Sequence, residues 1–281
     1  MNDDEAIETV RFMDLPFDNF VIEHWDPASA LSKHEQKWSL VERWIKLGDR
    51  GRKLLIQHTF MKQYFEPRLY EHEIPAHVPR DLLTPRERAA DGEYEKTFWI
   101  RTWFGEKNNA ESQRAADDDY KQLYLFALQR CDEANEGPEF LDERFLFDHL
   151  DVDAADLRDG NLVARQWTTP EWLVDAFMRY PDQLSGLASF GVDLESDGVD
   201  GDQRLLIGIA DRKACQEGWV LLLGVNHKGQ ILPYRVRERA SSVDLVVNDW
   251  NEDSIDLRQL FADPNQAGEE LYMRAGSGWD I

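Results

Sequence analysis

Two apolar runs near the C-terminal end constrain the fold of this chain more than any other feature. LLIGIA (205–210) and WVLLLGV (219–225) contain no charged or amide side chain. Nearly unbroken apolar runs are expected where a strand is covered on both faces or lies at the centre of a sandwich. The sequence therefore predicts two buried strands here.

The residues after these runs predict a further turn and two further strands. NHKG (226–229) is typical of a turn and should expose His227 to solvent. QILPYRVRE (230–238) predicts a return strand, and Pro233 places it at a sheet edge or leaves it paired through its other side, because proline cannot donate a hydrogen bond. VDLVVNDW (243–250) predicts another strand.

The first half of the chain is mostly helical in pattern. FDNFVIEHW (17–25) alternates enough to predict a short strand, and Asp26-Pro27 predicts the start of a helix that ends at Gly48. A second helix should end before Pro67, because proline terminates a helix. A third is predicted for TTPEWLVDAFMRYP (168–181).

The strongest helical pattern lies between residues 110 and 133. Apolar side chains recur there at helical spacing, on Tyr120, Leu123, Tyr124, Ala127, Leu128 and Cys131. The acidic run Asp117–Asp119 is interpreted as the opening of this helix, where acids complement the positive end of the macrodipole.

These elements predict an α+β protein with a helix-rich N-terminal half. A mainly antiparallel β-sheet should follow, with helices packed on one face. The predicted division is a helix-rich region at 1–135 and an α+β region at 136–281, which together can also form one compact domain.

The charge of the chain excludes several classes of partner. There are 55 acidic and 32 basic residues, a formal net charge of −23. Such a surface repels polyphosphate and anionic membranes and attracts basic proteins. No run of lysine and arginine is longer than Arg212–Lys213, so nucleic acid is not an expected partner. The alternative is that the acidity reflects the amino-acid composition of the whole proteome.

The sequence predicts a cytoplasmic protein. Two cysteines, Cys131 and Cys215, form no CxxC pair and cannot supply a disulfide framework. The N-terminal residues have neither the positive charge nor the apolar core of a signal peptide, and no stretch is apolar enough to span a membrane.

The acidic stretch VDLESDGVDGD (192–202) is tested first as a calcium loop. With Asp193 as position 1, Glu195 and Asp197 match the start of an EF-hand, but position 12 is Arg204 instead of a bidentate carboxylate. We interpret the stretch as a solvated turn between strands.

A second hypothesis for this region is a hydrolase. Asp193, followed by the strand LLIGIA and then Asp211-Arg212-Lys213, has the order of groups of a metal-dependent nuclease or phosphodiesterase centre. Two carboxylates would hold a divalent ion, and Lys213 would steady the transition state. Asp211 and Lys213 would project from one face if both lay on a strand.

No other pattern predicts a catalytic or cofactor site. The chain has no GxSxG, P-loop or GxGxxG motif, and the histidines have no zinc-ligand spacing. We therefore predict no cofactor.

The preferred hypothesis is an interaction protein without enzymatic activity. Immunity proteins, antitoxins and inhibitors bind a basic protein, such as a toxin or a nuclease, through complementary charge and aromatic anchors. The predicted contact residues lie in two acidic strips, at 148–160 and 193–202: Asp148, Asp151, Asp153, Asp156, Asp193, Glu195, Asp197, Asp200 and Asp202.

Overall fold

The computed structural model describes residues 11–12, 15–65, 69–70, 73–83, 97–106, 108–128, 167–187, 199–253, 255–261 and 270–280. The helices are α1 (Pro16–His24), α2 (Lys33–Lys46), α3 (Gly48–Phe65), α4 (Ala110–Leu128), α5 (Glu171–Arg179), α6 (Gln183–Gly186), α7 (Arg212–Glu217) and α8 (Val243–Asp253). The strands are β1 (Arg11–Phe12), β2 (Leu69–Tyr70), β3 (Thr97–Arg101), β4 (Gln203–Ala210), β5 (Trp219–Asn226), β6 (Ile231–Arg239) and β7 (Glu270–Tyr272).

The chain divides into two compact units, and each combines separate stretches of sequence. The first unit contains residues 1–95, 169–204 and 227–229, and the second contains residues 96–168, 205–226 and 230–281. The boundary predicted between residues 135 and 136 lies outside the described residues. The protein is α+β, as predicted, but its helices are not all in the N-terminal half, since α7 and α8 follow β4 and β6.

The first unit is built around an aromatic cluster on α1 and α2. Residues 17–24 form most of α1, so the predicted strand at 17–25 is wrong. Phe17 and Phe20 each lie 5.4 Å from the Trp44 ring, in edge-to-face geometry. Their spacing of three residues places both on one helical face, and this burial outweighs the local alternation of the sequence.

Helix α2 begins at a capping box rather than at Asp26-Pro27. The Ser32 hydroxyl accepts a hydrogen bond from the Glu35 amide, and the Glu35 carboxylate accepts one from the Ser32 amide. The Asp26 carboxylate instead accepts from the Ala28 amide in a local turn. The predicted helix ends are confirmed. Helix α2 ends at Lys46, just before Gly48, and α3 ends at Phe65, before Pro67.

The second unit contains a five-stranded sheet in the order β3-β4-β5-β6-β7. Strand β3 is parallel to β4, β5 is antiparallel to β6, and β6 is parallel to β7. The sheet is therefore mixed, and the prediction of a mainly antiparallel sheet is wrong. Both outer strands come from distant parts of the chain, and long connections permit parallel pairing.

The two apolar runs form β4 and β5, as predicted, and every residue of β5 is buried. Gly208 in β4 is paired with Trp99 in β3, and a Cβ atom at this position would lie 2.9 Å from the indole. A residue without a side chain is therefore needed for the Trp99 ring to lie over the strand.

Strand β6 lies between β5 and β7, so it is not an edge strand, but β7 pairs with residues 235–237 only, and the predicted alternative that Pro233 is paired through its other side stays compatible with this order. Pairing between β5 and β6 shifts register between Leu223 and Val225, which face Arg235 and Ile231 on β6. Pro233 lies in this irregular stretch, where its missing donor is tolerated.

Two acidic segments also differ from expectation. Residues 243–250 form part of helix α8 instead of a strand, because Val243, Val246, Val247 and Trp250 bury one helical face. Asp117–Asp119 lies in the middle of α4, which starts at Ala110, so the helix macrodipole does not explain this run.

Candidate functional site

Asp211 directly follows the buried strand β4 and is the N-cap of helix α7. Its carboxylate accepts a hydrogen bond from the Ala214 amide at 2.9 Å, as an N-cap residue does. The Arg237 guanidinium donates a hydrogen bond to each of the two carboxylate oxygens, at 2.9 Å and 2.7 Å. Asp211 is therefore held by a bidentate pair whose side chains are 9% and 4% exposed.

Arg237 extends this pair into a larger cluster. It also donates to the Trp219 carbonyl at 3.0 Å and to the Glu270 carboxylate at 2.9 Å. Burial lowers the pKa of Arg237, but the hydrogen bonds and charges of Asp211 and Glu270 outweigh burial and raise it overall. The guanidinium is therefore permanently charged in a nearly dry position.

Lys213 completes the cluster from helix α7. Its ammonium group lies 3.3 Å from the Glu270 carboxylate and donates to the Tyr272 hydroxyl. Burial lowers the pKa of Lys213, but Tyr272 and Glu270 reverse that effect and raise it. A lysine with a raised pKa is a stable cation and a poor general base.

We call these five residues the Arg237 cluster: Asp211, Lys213, Arg237, Glu270 and Tyr272. Two carboxylates face two cations in this cluster, so its formal charge cancels. A divalent ion at Asp211 would have to displace a bidentate guanidinium, which would leave the buried Arg237 with Glu270 as its remaining carboxylate partner.

The structure brings two of the three residues of the hydrolase hypothesis together. Asp211 and Lys213 both belong to the Arg237 cluster, but Asp211 is a helix cap and Lys213 lies on α7, so they do not share a strand face. Asp193 lies outside the described residues. Within the described ranges, no group of three histidine, cysteine, aspartate or glutamate side chains could hold a metal.

Sequence reasoning missed Arg237, Glu270 and Tyr272. Arg237 lies in an alternating strand, where a charged residue normally faces water, and only its position between β5 and β7 makes it buried. Glu270 and Tyr272 lie on a three-residue strand that carries almost no periodic signal. The signal that was available is Asp211 directly after an apolar run, which is typical of an N-cap.

Most of the predicted binding residues lie outside the described residues: Asp148, Asp151, Asp153, Asp156, Asp193, Glu195 and Asp197. Asp200 and Asp202 lie in the turn before β4. The Asp200 carboxylate is 56% exposed and contacts the Lys228 ammonium and the His227 imidazole, at 2.6 Å and 3.1 Å from one oxygen. The hydrogen bond from Lys228 is the largest cause of its lowered pKa.

His227 is buried, so its expected exposure is wrong. Its residue surface is 2% exposed, and burial lowers its pKa, although the hydrogen bond to Asp200 acts in the opposite direction. Its carbonyl accepts from Arg52, which also belongs to the first unit. Asp200 therefore pairs with the buried His227, while 56% of its own side chain stays exposed to solvent.

Burial among the described residues does not change the acidic surplus. The buried cations among the described residues are Arg52, Lys53, Arg235 and Arg237, and the buried acids are Asp18, Asp49, Asp211 and Glu238. Four cancel four, so subtracting them from 55 acids and 32 bases leaves 51 against 28, the same surplus of 23. The net charge thus belongs to residues outside this buried set.

Helix α8 contains an acidic residue, Asp253, whose charge does not stabilise the helix. Asp253 is exposed in its last turn, where the helix has no basic residue. A negative charge at the C-terminal end opposes the helix macrodipole, whereas Asp244 in the first turn complements it. Local helix stability therefore does not account for Asp253.

We expect Asp253→Asn to raise the free energy of unfolding by about 0.3–1 kcal/mol, because it removes a charge from the negative end of α8. Asp244→Asn is the matched control on the same helix and should lower it. Urea denaturation measures both. Equal destabilisation by the two substitutions would show that Asp253 stabilises α8.

Comparison with known protein families, curated proteins and solved structures finds no match for this chain. No helix in the described part of the chain has the length and apolar character that crossing a bilayer requires.

Proposed function

We propose that this chain is an acidic interaction protein that binds a basic protein partner in the cytoplasm, as immunity proteins, antitoxins and inhibitors do. The observation that carries the proposal is the net charge of −23, together with the cancellation of the buried charges among the described residues, which removes none of that surplus. The Arg237 cluster does not favour the alternative hydrolase hypothesis, because Asp211 pairs with Arg237 and Lys213 pairs with Glu270.

The physical advantage of such a surface is fast and selective encounter. A field of one sign steers an oppositely charged protein toward the surface and repels nucleic acid and anionic lipid. Charge complementarity sets the association rate and the choice of partner, and buried aromatic anchors then slow dissociation. A toxin or a nuclease with a basic surface is the class of partner that fits this chemistry.

The two acidic strips are the proposed contact surface. Asp200 supports this assignment, because its carboxylate stays 56% exposed although it pairs with Lys228. An exposed ion pair is weak, so Asp200 can exchange Lys228 for a cation of a partner.

The proposal predicts that the position of the acids matters as well as their number. We expect neutralising Asp193, Glu195, Asp197 and Asp202 to the matching amides to weaken partner binding about tenfold, because four contacts of a few tenths of a kcal/mol each are lost. The measurement is capture of the partner from the native lysate, followed by titration of the isolated complex.

The matched control neutralises Asp3, Asp4, Glu5 and Glu8. It removes the same number of acids, so both variants change the formal charge from −23 to −19. The proposal expects the control to keep most of the binding. Equal weakening by both variants would contradict the assignment of the strips as the contact surface.

A further inference from the structure

Trp167 has a backbone conformation that bulky residues rarely adopt. Its φ is 62°, in the left-handed region, and the only other non-glycine residue of the described chain with positive φ is Asn108. Asparagine tolerates this region, but a large side chain does so at a cost of about 1–2 kcal/mol. Strain of this kind persists where the surroundings fix the backbone, and it is common at functional sites.

Hydrogen bonds to the start of β6 fix the backbone of Trp167. Its amide donates to the Ile231 carbonyl at 2.8 Å, and its own carbonyl accepts from the Gln230 side chain at 2.9 Å. The Ile231 amide donates to the Thr168 carbonyl at 3.1 Å. A glycine could make the same backbone bonds without strain, so these bonds do not require tryptophan.

The indole is also not needed to fill the core. Trp167 is 43% exposed, whereas the tryptophans of the core are at most 8% exposed, namely Trp25, Trp44, Trp99, Trp103, Trp172, Trp219 and Trp250. A large aromatic side chain that is both strained and exposed is the residue type that dominates binding interfaces. Neither packing nor backbone geometry accounts for it.

We propose that Trp167 is a binding anchor whose indole stacks on an arginine side chain of a basic protein partner. This inference rests on the proposed function and adds the residue and the chemistry of one contact. The indole is the best side-chain surface for a guanidinium, which binds over its face. The negative net charge of the chain favours the arrival of such a cation.

The chain uses the same contact internally. The Arg212 guanidinium lies 4.9 Å from the Trp103 ring, and Arg101 lies 4.5 Å from the Phe104 ring and 4.6 Å from the Tyr120 ring. In these places the cation and the ring are supplied by the same molecule. Trp167 offers an exposed indole, and we infer that the partner supplies the cation.

A pair of substitutions tests the stacking. Trp167→Tyr keeps an aromatic face, whereas Trp167→Leu keeps bulk and a comparable backbone strain but has no ring. The probes are an oligo-arginine peptide and an oligo-lysine peptide of equal length, because arginine stacks on aromatic faces and lysine is a compact point charge. Leu125→Ala, at a 50% exposed leucine, is the surface control.

We expect wild type to bind the arginine peptide more tightly than the lysine peptide. Trp167→Leu should lose about twofold to fivefold in affinity for the arginine peptide and little for the lysine peptide. Trp167→Tyr and Leu125→Ala should keep the preference for arginine. A purely structural role of Trp167 would change the urea midpoint but would not change the ratio of the two affinities.

The outcomes separate the inference from the proposed function. If wild type binds both peptides with salt-sensitive affinity and Trp167→Leu keeps the arginine preference, the anchor is wrong and the proposed function stands. If wild type binds neither peptide at about 0.1 M salt, the proposed function is contradicted, and the anchor with it.

Discussion

Replacing Arg237 with methionine is expected to lower the free energy of unfolding by about 3–5 kcal/mol, because it leaves the buried Asp211 carboxylate without its charged partner. Asp211 loses a bidentate pair whose side chains are 9% and 4% exposed, and Glu270 loses a bond of 2.9 Å. Methionine fills a similar volume, so the decrease in the free energy of unfolding reflects the unpaired charge more than lost packing. Urea denaturation measures it.

A double variant shows whether the uncompensated charge is the cause. Arg237→Met combined with Asp211→Asn removes one buried carboxylate while asparagine still caps α7, so part of the stability should return. Lys46→Met is the control, because the Lys46–Glu42 pair is exposed and should contribute about 0.3–0.5 kcal/mol. A loss at Arg237 as small as at Lys46 would mean that the cluster is solvated.

Replacing Arg52 with methionine is expected to cost about 3–5 kcal/mol, because it leaves several buried carbonyls without a donor. The Arg52 guanidinium is fully buried and donates to the carbonyls of Trp44, Ile45 and Leu187 at 3.0–3.3 Å, and to that of His227. Burial lowers its pKa to about 10, partly offset by Asp49, so it stays charged at neutral pH.

Two further substitutions give this prediction its controls. Arg52→Lys should lose most of the same stability, because an ammonium group cannot reach the carbonyls that the planar fork joins. Arg50→Met, at an exposed position of the same helix, should change the free energy of unfolding by less than about 0.5 kcal/mol. A neutral Arg52→Met would contradict the role of Arg52 in holding these carbonyls.

Segments with one clear apolar period were predictable from the sequence, including the nine-residue helix α5, and segments that fit two periods were not. The helices at 33–46, 48–65 and 110–128 and the strands β4 and β5 follow directly from their apolar patterns. Residues 17–25 and 243–250 were wrong because a short segment with valine and aromatic residues fits both periods, and only tertiary burial selects the helix.

The candidate site depended on contacts that local sequence does not encode. Asp211 and Arg237 are 26 residues apart, and Lys213 and Tyr272 are 59 apart. The expected exposure of His227 failed for the same reason, because the turn at 226–229 looks polar on its own. Its burial depends on packing with Arg52, which is 175 residues distant.

Whether the acidic surplus serves a basic protein partner or reflects the composition of a whole proteome can be measured. Proteins are captured from the native lysate on the immobilised chain, and the salt concentration is then raised from about 0.1 M to about 1 M. Over this range the Debye length shortens from about 10 Å to about 3 Å, so electrostatic attraction is lost. We expect one discrete protein with an isoelectric point above about 9 that elutes as the salt rises and binds the purified chain alone. Recovery of the same mixture on an unrelated acidic protein of equal net charge, with no partner that binds the purified chain, would contradict it.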